Sequence, residues 1–168
     1  VTETYRDAVS LRAVVTSTSA EADRRRYQEA RASLRELAGA ERVTPEVQAL
    51  AGLYEGDLAR RLGLHAEAIA AFGAYLDASE PGDPLRFFAL EGHGYALEAA
   101  GRLDEALVEF RKLAALDGFE DYGLKHVARV LEAQGDARGA REAYQRIVDQ
   151  DPASPLKGFA EQRLALLD

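Results

Sequence analysis

The 168-residue sequence contains no cysteine, no methionine, no tryptophan and no asparagine. The lack of cysteine excludes disulfide bonds, thiolate metal sites and a cysteine nucleophile. No apolar run approaches the roughly 18–20 residues that a helix needs to span a bilayer. Because the chain starts at Val1 and lacks methionine, we expect it to be a processed or excised part of a longer protein. Any membrane association would then depend on a segment upstream of Val1.

Basic residues are outnumbered by acidic ones, 21 against 29. The formal net charge is −8, and residues 46–168 carry 22 acidic and 13 basic side chains. A surface with this surplus repels nucleic-acid phosphates and anionic lipid headgroups, so we expect no nucleic-acid partner. The content of 47% hydrophobic residues is high enough for a folded core, which argues against a disordered chain.

One pattern occurs three times in the chain: a glycine, four residues, an alanine, three residues and an aromatic residue. The three copies are Gly63–Ala68–Phe72, Gly101–Ala106–Phe110 and Gly135–Ala140–Tyr144. The second and third copies are 34 residues apart, and the first and second are 38 apart. A period of 34 residues is typical of a helix–turn–helix unit that stacks on copies of itself. In period and pattern the chain resembles the tetratricopeptide repeat family.

This resemblance implies an all-α fold, a right-handed superhelix of antiparallel helix pairs with a C-terminal capping helix. We expect a single domain over residues 1–168. Its expected parts are a degenerate N-terminal helical pair at 1–43, repeats at 45–80, 84–118 and 121–152, and the capping helix at 154–167.

The helices follow from the repeat pattern and its turn residues. In each repeat the glycine ends the first helix, helix A, where a left-handed residue is wanted, and helix B follows. The predicted helices of the three repeats are 45–62, 65–78, 85–100, 103–116, 121–134 and 137–150. A further helix is predicted over Thr2–Thr16, and after a break at residues 16–19 another helix, capped by Thr18, is predicted to run to about Ala38.

Small residues recur where helix A and helix B of one repeat would cross. With the turn glycine counted as the fifteenth position, the eighth and twentieth positions are small in every repeat, and the twenty-fourth is aromatic. The small residues are Gly56, Gly94 and Ala128 at the eighth position, and Ala68, Ala106 and Ala140 at the twentieth. We therefore predict close backbone contact at these crossings, with the aromatic residue packed towards the next repeat.

A narrower resemblance concerns the last repeat. The run from Val130 to Tyr144 is similar to the last repeat of the YfgM-type ancillary SecYEG translocon subunits of bacteria. This resemblance implies a periplasmic or membrane-anchored protein of the bacterial cell envelope. A cytoplasmic repeat adaptor is the alternative.

The titratable residues show no arrangement that indicates catalysis. His65, His93 and His126 lack a histidine or carboxylate partner at a metal-ligand spacing, and we interpret them as ordinary surface or groove histidines. We therefore expect no catalytic residue, no metal site and no cofactor. A helical enzyme or small-ligand-binding domain is the alternative from a different functional class.

Partner binding is the positive hypothesis. The family resemblance implies that the A helices line a concave groove, with positions two, five, nine and twelve of each repeat facing it. The candidate groove residues are Leu53, Asp57, Arg60, Phe88, Glu91, Tyr95, Tyr122, Lys125 and Arg129. Alternatively, some of these residues merely pack between neighbouring A helices.

The chemistry of these positions points to the kind of partner. Lys125 and Arg129 are expected to form a local pair of cations beside apolar anchors. The carboxylate clamp known in the family requires asparagine, which this chain lacks, so that clamp is not expected. A mixed groove suits an extended or helical peptide with apolar and charged contacts. The sequence thus predicts a non-enzymatic scaffold for a protein or peptide partner.

Overall fold

The computed structural model describes residues 20–40, 43–150 and 154–167. This part of the chain is built of α-helices and has no strand, which confirms the all-α prediction. In order, the helices are α1 (Ala20–Ala38), α2 (Pro45–Arg61), α3 (His65–Ala78), α4 (Arg86–Ala99), α5 (Leu103–Ala114), α6 (Glu120–Ala133), α7 (Ala137–Gln150) and α8 (Lys157–Leu166). The helix predicted over Thr2–Thr16 lies outside the described residues. None of the described helices has the length and apolar character of a membrane-spanning segment.

The chain divides into two compact units, with the boundary between Asp83 and Pro84. Unit one contains α1, α2 and α3, and unit two contains α4 to α8. Helices that follow each other in sequence pack together within each unit.

The turn glycines end their helices as the sequence pattern predicts. Gly63 has a φ of +77°, which an L-residue with a side chain rarely adopts. The Gly63 N–H donates to the Arg60 carbonyl and the Leu64 N–H to the Ala59 carbonyl, the hydrogen-bond pair of a Schellman motif. Gly101 and Gly135 have φ values of +77° and +79° and the same pair of bonds. Three helix A ends are therefore closed in one way.

Close packing of helix A against helix B is confirmed at the small residues. A Cβ on Gly94 would lie 2.5 Å from Cε1 of Phe110, and one on Gly56 would lie 3.2 Å from Cβ of Ala71. The alanines at the twentieth position are fully buried, as are the aromatic residues four positions later. These residues are Ala68, Ala106, Ala140, Phe72, Phe110 and Tyr144. The small and aromatic residues of the repeat pattern are therefore the residues that pack helix A against helix B.

In unit one, a network of ion pairs connects α2 with its two neighbouring helices. Arg31 and Arg35 of α1 both form ion pairs with Glu55 of α2 and Glu67 of α3. The Arg35 Nε lies 2.6 Å from the Glu55 carboxylate. These hydrogen bonds lower the pKa of Glu67, with the bond from Arg31 as the largest cause. The network joins all three helices of the unit.

The last helix covers the end of unit two. The Ser154 hydroxyl accepts a hydrogen bond from the Leu156 N–H at 3.1 Å just before α8 begins. Ala160 is fully buried, and Phe159 packs edge-on against Tyr144 of α7 at 6.0 Å between ring centroids. Helix α8 therefore lies where the sequence predicts a capping helix.

Candidate partner-binding surface

The predicted groove residues fall into both units, and those of unit one are engaged within it. The prediction that Leu53 faces the groove is wrong, because this side chain has no exposed surface. Leu53 belongs to the apolar core. Asp57 accepts hydrogen bonds from Arg60 and from Arg61, each at 2.7 Å. Its carboxylate is thus neutralised within α2.

The other predicted residues lie in unit two, where one face is built from α4, α6 and α8. We call this the A-helix face of unit two. It consists of Glu91, Tyr95, Glu98, Lys125, His126, Arg129, Glu132, Phe159 and Arg163. Phe88 is half-buried on α4, and Tyr122 stands beside the face at the start of α6.

Arg129 is held on this face by neighbours from two other helices. Its guanidinium forms a bidentate ion pair with Glu98 of α4. It also lies over the rings of Tyr95 and Phe110, at 5.5 and 5.9 Å from the centroids. The hydrogen bond to Glu98 is the main cause that raises the pKa of Arg129. Arg129 therefore joins α6 to α4 as a fixed charge.

The same kind of ion pair recurs between α6 and α8. Glu132 of α6 pairs with Arg163 of α8. In both pairs the arginine follows the glutamate by 31 residues. In repeat numbering this spacing joins the twelfth position of one repeat to the ninth position of the next, when the numbering is continued into α8. The family resemblance assigns Glu98, Arg129 and Glu132 to groove-facing positions and Arg163 to the capping helix. It does not predict the two ion pairs, although the 31-residue spacing indicates them.

His126 is buried, contrary to its interpretation as a surface or groove histidine. Its Nε2 lies 3.1 Å from Oε1 of Glu91, within hydrogen-bond distance. The Tyr95 ring meets it edge-on at 5.0 Å between centroids, and Phe110 lies 4.8 Å away. Glu91 is therefore oriented by a side chain that is itself fixed by packing.

Lys125 and Arg129 do not form the predicted pair of available cations. Arg129 is neutralised by Glu98. Lys125 has its Nζ 5.5 Å above the ring of Phe159 on α8. The two side chains therefore lean towards opposite neighbouring helices and have different surroundings.

An aromatic cavity opens beside the face and is lined by residues of α4, α5 and the start of α6. Its volume is about 310 Å³, and Glu91 and Tyr122 from the predicted set line it together with Phe87, Leu113 and Phe119. Phe87 and Phe119 stack with their centroids 4.4 Å apart and their planes at 12°. Tyr122 is 46% exposed. The cavity offers apolar walls and one carboxylate to a ligand.

No cluster of three metal-ligating side chains occurs in the part of the chain that the structure describes. The A-helix face and the aromatic cavity instead provide rings, fixed charges and an opening of side-chain size. These features suit the binding of a polypeptide segment.

Comparisons with known proteins agree with this architecture. The family model described as "Tetratricopeptide repeat" matches residues 19–84, 55–121 and 91–155. Among the solved structures that match is "MamA RS-1 ArsTM double mutant", with a TM-score of 0.66 and 21% sequence identity. That match covers 96% of this chain and 83% of the other, and it shows a shared fold. No curated protein matches the sequence.

Proposed function

Because the chain belongs to the tetratricopeptide repeat family of protein-interaction scaffolds, we propose that it binds a protein segment along the A-helix face of unit two. The segment lies extended or helical across α4 and α6, and one of its side chains enters the aromatic cavity. The protein acts by binding and carries out no chemical step.

The observation that carries this proposal is the aromatic cavity. Phe87, Phe119 and Tyr122 offer ring surface within a volume of about 310 Å³, which suits one large side chain of a partner. Aromatic residues that stay partly exposed around a small opening are typical of the anchoring points of protein interfaces. The neighbouring ion pairs keep the helices in place, so the opening is preformed and binding needs little reordering.

The site of action in the cell is the finer part of the proposal. The run from Val130 to Tyr144, through its similarity to YfgM-type subunits, favours the soluble domain of a bacterial envelope-associated protein over a cytoplasmic adaptor. Protease treatment of intact spheroplasts distinguishes the two, with immunodetection of the native protein. Loss of the protein from intact spheroplasts supports the envelope, and its survival until lysis supports the cytoplasm.

The binding surface is tested by capture from an extract of the source organism. Immobilised parent chain is compared with Tyr122→Ala and with the control Val108→Ala, since Tyr122 and Val108 are 46% and 47% exposed. We expect Tyr122→Ala to lose the specifically captured protein and Val108→Ala to retain it. Equal capture by all three chains would place the binding surface elsewhere.

A further inference from the structure

We infer that the partner segment is basic and that a lysine or arginine side chain is the group that enters the aromatic cavity. Its alkyl stem lies against the rings, and its charged head meets Glu91. This inference rests on the proposed function and adds the chemistry of the partner.

The walls of the cavity suit a cationic side chain. Phe87 and Phe119 form one stacked aromatic pair, and Tyr122 adds a third ring to the lining. Lysine and arginine bury their alkyl stems against such apolar surface. Their cationic heads are attracted to aromatic faces by the ring quadrupole.

Glu91 supplies the countercharge. Its Oε1 contacts the buried His126, at 3.1 Å from Nε2, and this contact leaves Oε2 for a ligand. The carboxylates of Glu98 and Glu132 differ, because both oxygens of each already contact an arginine. Among the acidic residues of the A-helix face, Glu91 is thus the one placed in a cavity with an oxygen to offer.

A second, adjoining cavity extends the negative charge. It has a volume of about 570 Å³ and shares Tyr122 with the aromatic cavity. Glu120 and Asp121 line it, and among the described residues neither cavity is lined by a lysine or arginine. Lys125, on the next turn of α6, has its amine over the ring of Phe159. A segment that follows both cavities therefore meets three carboxylates in succession.

Other partner chemistries fit less well. An acidic segment would be repelled by the carboxylates of Glu91, Glu120 and Asp121. A purely apolar segment would cover Oε2 of Glu91 without giving that oxygen a hydrogen-bond partner, which costs free energy. A basic segment satisfies the carboxylates and the rings together, and the excess of acidic residues over 46–168 favours its approach.

The test is selection from a phage-displayed random-peptide library on the immobilised parent chain. Selected peptides are synthesised, together with variants in which each lysine or arginine is replaced by norleucine, which keeps an alkyl stem and lacks the charge. Affinities are measured by fluorescence anisotropy on the parent chain, on Glu91→Gln and on the control Glu142→Gln. Glu142 is an exposed acid of α7 that pairs with Arg138. Circular dichroism verifies that the variants are folded.

We expect one basic position shared by the selected peptides. Its replacement by norleucine should weaken binding to the parent chain and to Glu142→Gln roughly tenfold. The same replacement should change binding to Glu91→Gln much less, since the two changes remove one interaction. Because the norleucine comparison uses the parent chain, it remains valid even if a protein variant fails to fold.

Two other results separate the two hypotheses. Peptides with acidic or purely apolar anchors, or a norleucine effect that Glu91→Gln leaves unchanged, would overturn the basic anchor and leave the scaffold proposal standing. A selection that yields no binding peptide would overturn both.

Discussion

Glu98 on α4 and Arg129 on α6 form a bidentate ion pair, in which Nη2 lies 2.6 Å from Oε2. Glu132 on α6 and Arg163 on α8 repeat this pair at the same separation of 31 residues. The same type of ion pair therefore joins α4 to α6 and α6 to α8. We therefore expect the charges at these repeat positions to stabilise the packing of α4, α6 and α8.

Removing Arg129 should lower stability. Arg129→Ala deletes the contacts with Glu98 and Tyr95 and leaves the Glu98 carboxylate unpaired. Because the Arg129 side chain is 39% exposed, water screens part of the loss, and we expect a cost of about 1 kcal/mol. Chemical denaturation gives the free energy of unfolding.

The control for this variant is Arg138→Ala. Arg138 pairs with Glu142 on the surface of α7, and its side chain is almost fully exposed. Its removal should change the free energy of unfolding very little. Equal effects of the two substitutions would show that the pair between α4 and α6 does not stabilise the protein.

Gly123 should not tolerate a side chain. A Cβ at this position of α6 would lie 2.2 Å from the backbone nitrogen of Ala114 on α5. Because backbone atoms cannot rotate away, we expect Gly123→Ala to destabilise by about 1–3 kcal/mol or more. Gly158→Ala on α8 is the control, because no atom lies within 4 Å of its added Cβ. Gly158→Ala should be neutral or stabilise the protein by up to about 1 kcal/mol. A similar loss of stability in both variants would contradict the close contact of α6 with α5 at Gly123.

Leu53 should matter for folding and not for recognition. Leu53→Ala removes a fully buried side chain, so we expect a loss of about 2–5 kcal/mol. Leu64→Ala, in the same unit but partly exposed, should cost less. Calorimetry measures the unfolding of both variants. A Leu53→Ala variant of parental stability that fails to capture the partner would restore Leu53 as a groove residue.

Acid should weaken unit two through Glu109 on α5. Burial, the largest influence, raises the pKa of this carboxyl, but the neighbouring His93 and Lys112 outweigh burial, and the pKa lies below its ordinary value of 4.5. The folded state thus favours the carboxylate. The resulting stability is present above about 4.5 and is lost as the pH falls through the lowered pKa.

The variant Glu109→Gln tests this pH dependence. It should be less stable than the parent chain near neutral pH, and the difference should shrink as the pH falls below about 4.5. Melting temperatures of both proteins across the acid range give the comparison. A difference that stays constant or grows on acidification would contradict the role of Glu109.

The packing within each helix pair could be predicted from the sequence because the pattern describes one repeat at a time. Gly63, Gly101 and Gly135 mark positions where only a left-handed residue closes the helix. Gly94 opposite Phe110 marks a crossing without room for a side chain. These local requirements give the helix ends to within one or two residues.

The contacts between successive A helices could not be predicted from one repeat. Whether Leu53 faces the core or a groove, and whether Arg129 faces solvent or Glu98, depends on how the neighbouring A helix is placed. That placement is set by packing over two repeats. The 31-residue spacing from Glu98 to Arg129 and from Glu132 to Arg163 carries this information once two repeats are read together.

The most direct test of the account is position-specific photocrosslinking in cells of the source organism. A benzoylphenylalanine is placed at position 122 beside the aromatic cavity, or at position 108 on α5, two sites of nearly equal exposure. We predict that one partner is crosslinked at position 122 and that none is crosslinked at position 108. Equal adducts at both positions, or adducts at position 108 alone, would contradict binding at the A-helix face of unit two.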